Sequence, residues 1–176
     1  YLENSFDLAV NTFEQNPDKS VVFGDWLSIN TNDALIELSY AFNFNSNHLK
    51  YEGFHLNAHS MFWRSSLHDK FSGFDVNLYN TMDYQMIIEF GEILGSDGFM
   101  RIPNVLGAFR RYQGQKTSGM NTNVLAEHKY IAQKYNYQKK YGRFGKALRF
   151  IYRIRRAFWY LKRGGFSELQ KRLRMA

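Results

Sequence analysis

Apolar positions along the chain switch repeatedly between a helical and an alternating period, which predicts helices interleaved with a few strands. Leu2, Phe6, Ala9, Val10 and Phe13 recur at helical spacing, and Asn16 and Pro17 close that helix. Ser20, Val21, Val22, Phe23 and Gly24 form a short strand-type run ending at Asp25. Asn32 or Asp33 can cap a second helix reaching Phe42, with Leu35, Leu38 and Phe42 on one side. The Asn-rich stretch 43–48 reads as a loop. A strand over 54–63 follows, then a short helix opened by Ser65 or Ser66, a turn at Gly73, and an amphipathic helix over 81–94 broken at Gly95 to Gly98. Residues 99–112 read as one bent strand in which Pro103 requires an edge or a bulge. Val124, His128, Ile131 and Tyr135 share one face of a helix begun by Thr122 or Asn123. A strongly amphipathic helix over 146–163 then ends at Gly164 and Gly165, before a last short helix reaching Leu173. The expected fold class is mixed α/β, two layers around a small sheet.

Composition narrows the chemistry only a little. The 176 residues are enough for one domain with a substantial core. The absence of cysteine removes disulfides and thiolate metal sites and fits a reducing, cytoplasmic setting. No apolar run is long enough to span a bilayer, and Tyr1-Leu2-Glu3-Asn4 lacks the basic and apolar regions of a signal peptide. A phosphate-binding Gly-rich loop, a dinucleotide fingerprint, a zinc helix and a Gly-x-Ser-x-Gly elbow are all missing.

Charge changes the picture more. The net charge of +7 is split unevenly: residues 1–138 hold 10 Lys and Arg against 15 Asp and Glu, whereas residues 139–176 hold 13 against one. Within 146–163, Ala147, Phe150, Ile151, Ile154, Phe158 and Leu161 fall within about 100° of arc, opposite Lys146, Arg149, Arg153, Arg156 and Arg163. Three readings stay open. The apolar face can lie in an anionic membrane interface, peripheral at its inner face; it can pack on the domain and leave the arginines solvated; or the arginines can bind nucleic acid, for which no recognition motif speaks.

The candidate chemistry gathers in residues 53–94. An isolated His59 sits between Ala58 and Ser60, and Asp83 occupies a first helical turn. That placement alone accounts for Asp83 through the helix dipole, worth roughly 0.3–1 kcal/mol. His59 alone is equally well a half-buried ring bonded to backbone.

The order of these segments resembles family 2 glycosyltransferases of the GT-A fold. The resemblance rests on Phe62-Trp63-Arg64 at a strand end, Ser72-Gly73-Phe74-Asp75 at a turn, and Thr81-Met82-Asp83-Tyr84 opening a helix. It extends to Phe109-Arg110-Arg111-Tyr112-Gln113-Gly114-Gln115-Lys116-Thr117, similar to a Tyr-Arg-x-His pattern followed by a Gly-Gln-Lys-Ser turn. It implies that residues 1–118 form the acceptor-side half of a GT-A domain and that 119–176 are a helical, basic extension. The chain would then begin just after the metal-binding Asp-x-Asp motif, and alone would be inactive. The implied parent moves a sugar, with inversion, from a nucleotide-sugar donor to a glycan or lipid-linked acceptor, as in polysaccharide biosynthesis of a cell envelope. Asp83 matches the general base, although Met82 and Gln85 replace the acids that commonly flank it. His59, Trp63, Asp75, Arg110, Arg111 and Lys116 are the implied substrate-binding residues, with Arg64 expected to pair with Asp69 or Asp75. A divalent cation, Mg or Mn, is implied with ligands outside this chain, because Tyr112 stands where the family has a metal-side His. A non-catalytic, membrane-associated binding module is the alternative.

Overall fold

Strand β1 (Val21–Ile29) is the hub of a mixed α/β fold that has, among the described residues, a four-stranded mixed sheet accompanied by five helices. The computed structural model describes residues 1–53, 56–115 and 122–174. Both edges of β1 are occupied. β2 (Leu35–Ser39) and β3 (Met61–Trp63) pair antiparallel with its second and first halves, and β4 (Phe99–Arg110) runs parallel to it along the other edge. A strand covered on both faces needs continuous apolar sequence, and Val21, Val22 and Phe23 are all buried. Successive side chains point to opposite faces. Val22 therefore joins Ile102 and Leu106 beneath helix α1 (Ser5–Gln15), while Val21 and Phe23 enter the main core.

That core is built on α3 (Met82–Leu94), reached after the short α2 (Ser46–Tyr51). Every residue of α3 from Tyr84 to Gly91 is buried, so it is a helix enclosed on all sides rather than an amphipathic one. Gly95 stops it at φ 65°, a left-handed value that glycine adopts without a Cβ penalty. Helix α4 (Thr122–Lys134) adds Ile131 and Ala132 to the same core, and Tyr137 follows. Helix α5 (Arg143–Arg174) closes the chain.

Several expectations are corrected. Residues 32–42 form no helix. The spacing of Leu35 and Leu38 suits a helix and puts them on opposite faces of a strand, yet pairing of β2 with β1 decides for a strand. The hairpin turns on Asp33 at φ 61° and on the Asn30 side chain, which accepts from the backbone of Asn32 and Ala34. The Asn-rich loop contains α2, because Asn45 caps it by accepting from the His48 amide. The strand expected over 54–63 is confined to Met61–Trp63, preceded by a 3-10 turn over Ala58–Ser60; residues 54 and 55 lie outside the described ones. Helix α1 is rotated so that Ser5 and Ala9 face inward, leaving Phe6 and Val10 exposed. Gly164 and Gly165 do not end α5, which continues to Arg174. The bent strand is present: β4 is an edge strand, and its register against β1 shifts between Arg101 and Val105, around Pro103.

Candidate functional site

Asp83 lies in the first turn of α3, whose position is set from outside the helix. Thr81 precedes it without a side-chain cap of its own. Instead Glu127 of α4 accepts from the amides of Tyr79, Asn80 and Thr81, each at 3.0 Å, and from the Thr81 hydroxyl at 2.8 Å. Burial pushes the Glu127 carboxyl up, but these bonds outweigh burial and hold it below the ordinary value. The helix start thus receives its counter-charge from another helix. Next to it, Tyr84 donates to the Leu49 carbonyl at 3.1 Å and meets the His128 ring edge-on.

The carboxyl of Asp83 itself moves the other way. Burial raises its pKa, against the amide of Tyr84, which donates to Oδ1 at 2.8 Å. Among the described residues no cation pairs with Asp83. Three residues earlier, both side-chain atoms of Asn80 are buried without a partner. A half-desolvated carboxylate without a cation can accept a proton, and an unsatisfied side-chain amide can orient a polar ligand.

The turn before α3 is held from below. Glu89 accepts from the Ser72 amide at 2.6 Å, the Ser72 hydroxyl at 2.7 Å and the Tyr135 hydroxyl at 2.7 Å. Burial pushes the Glu89 carboxyl up, and these donors bring it below its usual value. Gln85 accepts from the Asp75 amide at 3.3 Å. Asp75 accepts from the Tyr130 hydroxyl at 2.8 Å and from Asn77, which depresses its pKa, and Lys134 stands 4.0 Å away. Asp75 is therefore already engaged within its own loop and α4.

A second group forms along β4. The His59 ring stacks on Phe109 at 5.0 Å, and its backbone carbonyl lies over Gly107, where any Cβ would run into it. Burial lowers the His59 pKa to about 4, and Nε2 is buried without a partner, so the ring is neutral. Beyond Phe109, Arg110 donates to Asp33 at 2.6 Å and to the Asn30 carbonyl, and Arg111 donates to Glu37 at 3.2 Å. Both arginines tie β4 to the β1–β2 hairpin, although about half of each side chain remains exposed. Tyr112 is exposed beyond the strand, and Lys116 lies outside the described residues.

The sequence-predicted residues thus fall into two groups. His59, in the 3-10 turn 58–60, stacks on Phe109 of β4, and Arg110 and Arg111 follow Phe109 in the chain, whereas no hydrogen bond, ion pair or ring contact joins any of the three to Asp83 among the described residues. Trp63 packs on Phe90 and donates from Nε1 to His68 at 3.1 Å. Arg64 pairs with neither Asp69 nor Asp75 and with no other carboxylate among the described residues; it donates to the carbonyls of Lys19 and Phe13 and lies over the Phe13 ring. Sequence reasoning missed Glu127, Glu89 and Asn80. The available signal was Glu89, a lone acid inside the apolar run Met86-Ile87-Ile88-Glu89-Phe90, since a buried charge requires partners. Among the described residues no group of three or more His, Asp or Glu side chains is arranged to hold a metal. No protein-family model matches the chain, and no curated protein matches it.

Proposed function

We propose that this chain is the acceptor-side portion of an inverting, nucleotide-sugar-dependent glycosyltransferase, with Asp83 as its general base. The observation that supports the reading is the state of Asp83: a carboxyl whose pKa is raised by burial and which no cation pairs with among the described residues, at the start of α3. In the proposed step the acceptor hydroxyl oxygen attacks the anomeric carbon and gives its proton to the Asp83 carboxylate. The bond from that carbon to the diphosphate oxygen breaks, and the nucleoside diphosphate leaves with the electron pair. Arg110 and Arg111, half exposed, are placed to balance charge on such an anion only at the cost of their hairpin partners. The divalent cation implied for the parent would take its ligands from outside the described residues, among which no three His, Asp or Glu side chains are grouped to hold one.

The test is Asp83→Asn in the transferase that contains this chain. A general base contributes about 10²–10⁴-fold, so kcat falls by that order while the donor Kd is retained. An unchanged kcat sinks the reading and leaves the non-catalytic binding module, which the outward apolar face of α5 favours.

A further inference from the structure

The two faces of α5 are placed opposite to the usual arrangement of an amphipathic helix on a domain. Its arginine face is the docked one. Arg163 donates to Asp25 at 2.7 Å, Arg156 forms an ion pair with Glu52 at 2.6 Å, and Arg149 donates to the Tyr51 carbonyl at 3.3 Å. Trp159 and Tyr160 lie on the same side, against Phe42 and the Tyr40 carbonyl. The asymmetry follows from what the domain offers, since the side chains of Asp25 and Glu52 are each only 2% exposed and a buried carboxylate requires a cation.

The apolar face is consequently turned outward. Phe150 and Phe158 are 65% and 63% exposed, with Ile151 at 50% and Ile154 at 41% between them. On a helix these four lie on one side. Exposed basic residues border them on both flanks, Lys146 and Arg153 on one and Arg155 and Lys162 on the other. No acidic residue occurs between Arg143 and Arg163. Beside Phe158, a groove of about 420 Å3 runs between α5 and residues 42–45, floored by Phe42, Phe44 and Trp159 and rimmed by Arg155 and Lys162.

We infer that this outward face of α5 docks on an anionic lipid bilayer. The apolar stripe enters the boundary between headgroups and acyl chains, and the four flanking cations meet lipid phosphates. The groove admits a headgroup, with its phosphate between Arg155 and Lys162 and its glycerol over the aromatic floor. A protein partner or a second copy would equally cover the stripe. The unbroken positive border on both flanks is what favours a surface of uniform negative charge. None of the described helices is long and apolar enough to cross a membrane, so the docking is in the interface plane. Docking of α5 on lipid does not depend on glycosyl transfer.

Co-sedimentation of the full chain with vesicles of phosphatidylcholine, alone or mixed with phosphatidylglycerol, tests it. The chain is expected to pellet with the mixed vesicles, to stay in solution with phosphatidylcholine alone, and to be released by salt. The double variant Phe150→Glu/Phe158→Glu alters only exposed positions and should partition about tenfold or more weakly. Lys146→Glu/Lys162→Glu, which leaves the apolar stripe intact, should weaken binding as well. The proposal is overturned if the unaltered chain stays in solution with mixed vesicles at low salt. Equal partitioning of both double variants and the unaltered chain also overturns it. So does a dimer that Phe150→Glu/Phe158→Glu dissociates while lipid binding is absent, which would make the face an interface between copies.

Discussion

Asp25 and Arg163 meet at 2.7 Å although they stand 138 residues apart, and this contact ties the last helix to the central strand. The other oxygen of Asp25 accepts from Arg101 at 2.7 Å and from the Ala41 amide at 2.9 Å. One carboxylate therefore joins β1, β4, the segment after β2 and α5. The two guanidinium groups lie over the Trp159 ring at 5.2 and 5.6 Å. Removing the acid leaves two cations facing each other in a half-dry site. Asp25→Ala should cost about 3–5 kcal/mol in urea unfolding, whereas Arg163→Met, at a partly exposed position, should cost clearly less. A loss below about 1 kcal/mol for Asp25→Ala would show the junction to be incidental.

Glu127 makes a different kind of junction, holding three consecutive amides ahead of α3. Glu127→Ala should lower stability by about 2 kcal/mol, in line with the loss of charge-assisted hydrogen bonds at a partly exposed site. The more specific readout is amide exchange. Protection at Asn80 and Thr81 should fall well before that of Ile87 or Phe90 in the middle of α3. Uniform loss along the helix would argue against a local clamp.

Asp83 carries the opposite sign of linkage. Its pKa is raised by burial, so its charged form costs stability at pH values above the native pKa, and that cost vanishes below the unfolded value. Asp83→Asn should therefore raise Tm at neutral pH while removing the base. A lower Tm would mean that the carboxylate serves chiefly to hold the helix start.

Acid should unfold the protein in two identifiable stages. His59 stays neutral in the fold down to about pH 4, while in the unfolded chain it binds a proton from about 6.5. Stability thus declines as pH falls between those values, and His59→Gln should flatten that slope. Glu89 and Glu127 have native pKa values below their ordinary 4.5, so their contribution is complete above that pH and is lost as pH falls through the native values. Glu89→Gln should flatten the lower stage only. Tm measured against pH for the two variants checks both signs.

Gly107 is constrained by the 3-10 turn packed on it, since a Cβ there collides with the His59 carbonyl. Gly107→Ala should destabilise by about 1–3 kcal/mol and disturb the stacking of His59 on Phe109, visible in the imidazole NMR shifts. An unperturbed spectrum would show that the segment 58–60 yields freely.

Much of the architecture was legible from local pattern. The helices at 5–15, 82–94 and 122–134 follow apolar spacing and end signals, and Pro103 correctly marked β4 as a bulged edge strand. Legibility failed where strand pairing overrides the local period. Leu35 and Leu38 suit a helix, but the free edge of β1 was available and pairing with it outweighs a weak intrinsic preference. The candidate site divides in the same way. Asp83 was visible as an acid at a helix start, but its desolvation, and the Glu127 and Glu89 clamps around it, depend on α4 folding back across more than forty residues.

Residues 146–163 show the same division most plainly. Periodicity and charge alone establish an amphipathic helix with one apolar and one arginine-rich face, because both follow from rotation per residue. They leave open which face meets the domain. The fold decides it by burying Asp25 and Glu52 where, besides Arg101 and His48, they take Arg163 and Arg156 of α5 as further charge partners. The arginines therefore turn inward, and the apolar stripe is left to face whatever lies outside.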